Sequence, residues 1–198
     1  MKRSVIIISL AFIAGTSFSQ SHSYYDSIVA FQQNYKKTLE VIESGDRKYI
    51  SFFPPDPSYN IIAQFEKVND TIGFEMNTST GMKKPYLVYG KASFIINGRL
   101  VSLFIYRSKT LMLEEQYADY VFIPFGDATS GITSYGGGRY IDLSIKQIEN
   151  NSLSIDFNKA YNPYCAYTTG YNCPIPPVEN LLNVPIFAGE KNYGKPYH

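Results

Sequence analysis

Residues 156–180, DFNKAYNPYCAYTTGYNCPIPPVEN, concentrate side chains able to do chemistry. Four tyrosines, four prolines, four asparagines and both cysteines of the chain fall within these 25 positions. Tyr161, Tyr164 and Tyr167 supply aromatic faces, Asn162 and Asn180 supply amides, and Glu179 supplies a carboxylate. Such a set suits a sugar or another small amphipathic molecule at a pocket mouth. The same residues also fit a well-tied structural loop. Asp156, Asn158, Asn162 and Asn180 can satisfy the backbone groups of an irregular segment. Asn158, Asn162, Pro163 and Gly170 bring turn chemistry, and PIPP (Pro174–Pro177) reads as a stiff, extended exit.

A second stretch, FGDATSGITSYGGGRY, holds Asp127, Thr129 and Ser130, then three glycines running into Arg139. Consecutive glycines can offer backbone N–H groups to an anion, and an arginine can clamp a carboxylate or phosphate. The stretch lacks the phosphate-loop spacing and no helix pattern follows it. A glycine-rich loop feeding a strand is the plainer account.

Several mechanisms are excluded. His22 and His198 are the only histidines, and both sit near a terminus of the expected mature chain. A histidine-dependent nucleophile or a histidine-based metal site is not expected, and no metal or cofactor is assigned. Catalysis would fall to a carboxylate pair among Asp127, Asp142, Asp156, Glu179 and Glu190, as in glycoside hydrolysis. Asp127, Asp156 and Glu179 are the candidates retained. Cys165 and Cys173, spaced C-x7-C, are expected to form a disulfide in an exported protein. Closing that loop contributes about 2–3 kcal/mol in the chain-entropy model.

The opening, MKRSVIIISLAFIAGTSFSQ, has the layout of a secretory signal peptide. Lys2 and Arg3 precede the apolar run Val5–Ala14, and Ser17 and Ser19 stand at the −3 and −1 positions of a cleavage site before Gln20. The run is too short to span a bilayer, which takes roughly 20 apolar residues. The expected product is periplasmic or secreted, residues 20–198, a monomer with no membrane span. Without Lys2 and Arg3, 16 basic residues face 17 acidic ones. That balance gives no reason to expect a nucleic-acid partner.

These side chains need positioning elements. Ile28, Phe31, Tyr35, Leu39 and Ile42 recur at steps of three and four, which predicts one amphipathic helix over about 24–44 ending at Gly45. From about residue 60 to 189 the pattern is strand-like, rich in tyrosine and phenylalanine. NIIAQFEKV reads as a strand. KASFIINGRLVSLFIY reads as a hairpin turning at Asn97-Gly98. DYVFIPF reads as a buried strand, RYIDLSI and SLSIDF as a second hairpin, and LNVPIFAG as a last strand. The expected fold is mainly β: an antiparallel barrel or sandwich with one N-terminal helix packed outside.

The motifs PFGDATSGITSYGGGRYIDL, IDFNKAYNPYCAY and NCPIPPVENLLNVPIFAGEK closely resemble an uncharacterised bacterial family, domain of unknown function 1684. The similarity covers about Asp56 to Lys191. Its motif positions include Asp127, Thr129, Gly131, Tyr135, Gly136, Gly138, Arg139, Asp156, Asn158, Tyr161, Asn162, Cys165, Cys173, Glu179 and Asn180. Ser134 stands where the family often has a glutamate-threonine stretch. The resemblance implies a shared β-rich fold and no established activity.

Three functions are open: a small-molecule or glycan binding module using Arg139, Tyr161, Asn162, Tyr164, Tyr167 and Asn180; a carboxylate-dependent hydrolase; or a structural protein of the cell envelope. The expected hairpin places Arg139 and Asp156 at one end of the sheet, where they would form an ion pair.

Overall fold

The computed structural model describes residues 16–196. The basic start, the run Val5–Ala14 and His198 lie outside them, so the leader pattern falls largely outside the described chain. The first element, α1, spans Thr16–Thr38. Ile28 on its expected apolar face and Leu39 just beyond its end are buried. The helix stops well before Gly45. The Arg47 guanidinium donates to the Leu39 carbonyl at 3.1 Å and so satisfies a backbone acceptor left open at the helix end.

Seven strands follow: β1 Asn60–Lys67, β2 Phe74–Asn77, β3 Lys83–Ile96, β4 Arg99–Ser108, β5 Tyr120–Phe125, β6 Arg139–Ser144 and β7 Ser152–Asp156. They form one antiparallel sheet in the order β6-β5-β4-β3-β1-β7, curled into a half-barrel. β2 and β1 share the long β3, which pairs with β2 at Tyr86 and with β1 at Ser93. The β3–β4 hairpin turns at Asn97 (φ 50°) and Gly98 (φ 71°). Two consecutive positive φ values are what a type I′ turn requires.

The second expected hairpin does not form. RYIDLSI and SLSIDF are strands, but β6 pairs with β5 and β7 pairs with β1. The connection explains the difference. Ser144 and Gln147 make a reciprocal capping box that starts a 3-10 turn at Ile145–Gln147, and this redirects the chain. The curl of the sheet then brings the far edges back together. Tyr161, beyond β7, exchanges backbone hydrogen bonds of 2.9 and 3.0 Å with Tyr140 on β6.

Strand alternation gives the sheet two apolar faces. Val121, Ile123 and Phe125 of β5 and Ile141 and Leu143 of β6 point into the main core. Phe122 and Tyr140 point the other way, into an aromatic cluster with Met76, Tyr86 and Tyr106. The tyrosine-rich composition thus covers the second face of the sheet. Among the described residues, no helix is long and apolar enough to cross a membrane.

LNVPIFAG is extended but joins no strand. The carbonyls of Ile186, Ala188 and Glu190 accept instead from the Arg139 guanidinium. Carbonyls at alternate positions face one way in an extended chain. One arginine therefore stands in for a neighbouring strand.

Candidate functional site

A cleft of about 300 Å³ lies where α1 crosses the seam between β6 and the segment after β7. That volume is at the lower end of the range for small-molecule pockets. Phe31 and Tyr35 of α1, with Leu39 just beyond it, form one wall. Lys159, Tyr161 and Tyr164 form the other, and Asp142 of β6 lies between them. The backbone explains the placement. Asp142 points away from the main core because its neighbours Ile141 and Leu143 point into it. The Tyr140–Tyr161 bridge sets Tyr161 beside it.

Asp142 Oδ1 accepts from the Tyr161 hydroxyl at 2.7 Å and from the Tyr120 hydroxyl at 2.8 Å. Oδ2 has no hydrogen-bond partner among the described residues. Desolvation by the surrounding side chains pushes the Asp142 carboxyl above the usual carboxylate range, while Tyr161 and Tyr120 pull it back. The side chain remains open to solvent through the cleft. Burial, with the Asp142 charge, raises Tyr161 well above an ordinary phenol. Tyr161 therefore stays protonated and donates.

Next to this cleft lies a second set of polar groups. The Tyr35 and Tyr167 hydroxyls are 3.0 Å apart, and Tyr167 donates to Glu190 at 2.6 Å. Glu190 is fully buried and also accepts from the Asn162 backbone N–H at 2.9 Å. Burial pushes its carboxyl up to about 7, against the pull of Tyr167, the Asn162 N–H and Arg139. The chain Tyr35–Tyr167–Glu190 thus couples α1, the cysteine loop and the C-terminal segment.

The other expected site residues are scattered. Arg139 is completely buried, pairs with Asp127 at 2.8 Å and spends its remaining bonds on the three carbonyls described above. The expected Arg139–Asp156 pair is absent: Asp156 accepts instead from Tyr24 at 2.9 Å and from Asn158. The pairing fails because β6 and β7 are not hairpin partners. Of the three glycines before Arg139, Gly136 and Gly137 are exposed and Gly138 serves packing. At Gly138 (φ +84°), a Cβ would lie 2.5 Å from Pro176 Cγ and 2.7 Å from the Phe125 carbonyl, and its N–H already bonds Tyr135.

Asn162 donates to the Lys191 carbonyl at 2.8 Å. Asn180 acts as a missing rung between β4 and β5. Its side chain accepts from the Phe104 N–H at 2.7 Å and donates to the Phe104 and Pro124 carbonyls. Cys165 and Cys173 are at disulfide distance, with Cα atoms 6.3 Å apart. Tyr164 lines the cleft, while Tyr167 holds the network next to it. Glu179 lines a separate cavity. Asp127, Asp156 and Glu179 share neither a partner nor a cleft, so no two of them form the expected carboxylate pair.

Sequence reasoning missed Lys159, Phe31 and Tyr35 as cleft residues. Phe31 and Tyr35 carried a signal, since both lie on the helix face predicted to pack. Lys159 carried none. Among the described residues, no cluster of histidine, cysteine or carboxylate side chains is arranged to hold a metal ion.

No curated protein matches the chain. A solved structure resembles it: the solution NMR structure of an uncharacterised protein from Haloarcula marismortui. The two are 27% identical with a TM-score of 0.64, over 87% of this chain and 96% of the other. The family model for proteins of unknown function DUF1684 matches residues 46–191. That span holds the whole sheet, the buried Arg139–Asp127 pair and the sheet side of the cleft but not its α1 wall, and the chain belongs to this family.

Proposed function

We propose that the protein is a binding module for a small polyhydroxylated molecule, a sugar or glycan end, held in the cleft between α1 and the sheet seam. The observation that carries the proposal is Asp142. Two tyrosine hydroxyls fix one of its oxygens and leave the other as a ready acceptor. Tyr161, Tyr164, Phe31 and Tyr35 offer aromatic faces for the apolar side of a sugar ring, and Lys159 offers a donor at the rim. Aromatic walls with a few fixed polar groups are the usual composition of such sites. The cleft has a single carboxylate, so the two-carboxylate arrangement of glycoside hydrolysis finds no support there.

The protein is proposed to act outside the cytoplasm. The leader pattern and the closed cysteine pair favour that location. Cleavage before Gln20 would leave most of α1 in place, including the residues that dock it.

A thermal-shift screen against neutral sugars, organic acids and phosphates tests the ligand class. A sugar should raise the melting temperature of the native protein, and Asp142→Asn should abolish that shift. A flat response to every sugar would remove the proposal.

A further inference from the structure

A second cavity, of about 310 Å³, opens beside β2 and the start of the turn Val178–Asn180. It shares no lining residue with the helix–sheet cleft. Phe74 and Tyr106 meet at 60° with ring centroids 5.5 Å apart, and Phe104 adds a third aromatic face. Pro177 is among the apolar lining residues. The charged groups lining it are Asp70 and Glu179, both carboxylates.

The two acids differ in state. Asp70 Oδ1 accepts from the Ile72 and Gly73 N–H groups at 3.1 and 2.8 Å, and Oδ2 accepts from Val88 N–H at 2.9 Å. The bonds from Val88 and Gly73 hold its carboxyl below the usual range, so it stays ionised. With three bonds already accepted from the backbone, it contributes mainly its field. Lys109 lies behind it, with its ammonium on the Ile72 carbonyl at 3.1 Å, and does not line the cavity. Glu179 is exposed and has no hydrogen-bond or ion-pair partner among the described residues. Its place is nevertheless set. The next residue, Asn180, is tied to Phe104 by two hydrogen bonds and to Pro124 by a third, which puts Glu179 over the aromatic corner.

We propose that this cavity binds a small organic cation, an ammonium group carrying alkyl substituents. Two carboxylates with no lining cation disfavour an anion. Three aromatic faces suit methyl or methylene groups, and ring quadrupoles attract a cation held within about 6 Å. A bare metal ion would find one free carboxylate and aromatic carbon. An alkylated ammonium uses both features: its charge faces Glu179 and Asp70, and its alkyl surface covers the rings.

Calorimetric titration of the full chain with choline tests the site. The neutral analogue with a tert-butyl group in place of trimethylammonium is the control. Choline should bind, and the neutral analogue should bind at least about tenfold more weakly, since loss of the charge removes both the carboxylate and cation–π terms. Glu179→Gln, at an exposed position, should weaken choline by a similar factor with no change in melting temperature. Asp142→Asn, in the other cleft, should bind choline as the native protein does. Sedimentation with phosphatidylcholine vesicles separates two sources of this headgroup. Vesicle binding that Glu179→Gln abolishes would make it lipid-borne, whereas choline binding without vesicle binding would make it a free solute. Equal affinity for the neutral analogue, no effect of Glu179→Gln, or loss of choline binding in Asp142→Asn would each overturn the proposal.

Discussion

The Tyr161 hydroxyl donates to Asp142 Oδ1 at 2.7 Å across the seam that closes the sheet, while the backbone of Tyr161 is bonded to Tyr140, two residues before Asp142. One residue thus both closes the sheet and orients the carboxylate of the cleft. Tyr161→Phe removes the hydroxyl and keeps the backbone bridge. It should lower stability by about 1 kcal/mol, the usual net value of one hydrogen bond, and weaken a sugar ligand several-fold. Urea unfolding and calorimetry of the variant check both effects. Unchanged affinity would separate Asp142 orientation from binding.

Arg139 tests the expectation that its role is architectural. Arg139→Met leaves Asp127 buried without its charge partner and frees the carbonyls of Ile186, Ala188 and Glu190. The cost should be about 3–5 kcal/mol, the range for breaking a buried ion pair. Urea unfolding measures it. A loss below about 1 kcal/mol would mean that the C-terminal segment holds its place without the arginine.

The residues that fold this chain were legible in part. The alternation in SLSIDF and the continuous apolar run in DYVFIPF marked real strands, because burial of one face imposes period two and burial of both faces removes it. Asn97-Gly98 marked a real hairpin. Pairing was less legible: RYIDLSI and SLSIDF looked adjacent because they are close in sequence, whereas the Ser144–Gln147 box and the curl of the sheet decide their partners. FEMN, β2, was too short to stand out. Tyr161 and Tyr164 reached the cleft. Arg139 and Asn180 did not, since nothing local distinguishes an arginine that bonds a ligand from one that bonds three carbonyls of its own chain.

Glu190 should make stability depend on pH. Its folded carboxyl titrates at about 7, above the ordinary 4.5. The folded state therefore holds a proton more tightly than the unfolded chain. This contribution is fully present below about 4.5 and is lost as pH rises through about 7, at roughly 1.4 kcal/mol per pH unit at most. Asp142 is shifted in the same direction, so the comparison with Glu190→Gln isolates Glu190. Unfolding free energy measured between pH 4.5 and 7 should fall more steeply for the native protein than for the variant. Equal slopes would contradict the burial assigned to Glu190.

The cysteine loop carries Tyr167 and follows Tyr164, so the disulfide bears on the cleft as well as on stability. Reduction, or Cys165→Ser with Cys173→Ser, should lower unfolding free energy by about 2–3 kcal/mol. Intact mass of the native protein before and after reduction and alkylation should show two thiols only after reduction. Two alkylated thiols without reduction would show that the native protein carries the pair open.

The cleft itself is tested most directly by backbone amide chemical shifts of the full chain during titration with a neutral monosaccharide. Saturable shifts should centre on Phe31–Leu39, Asp142 and Lys159–Tyr164, and Asp142→Asn should remove them. Shifts confined to other surfaces, or none at saturating sugar, would contradict a ligand site at the seam between α1 and the sheet.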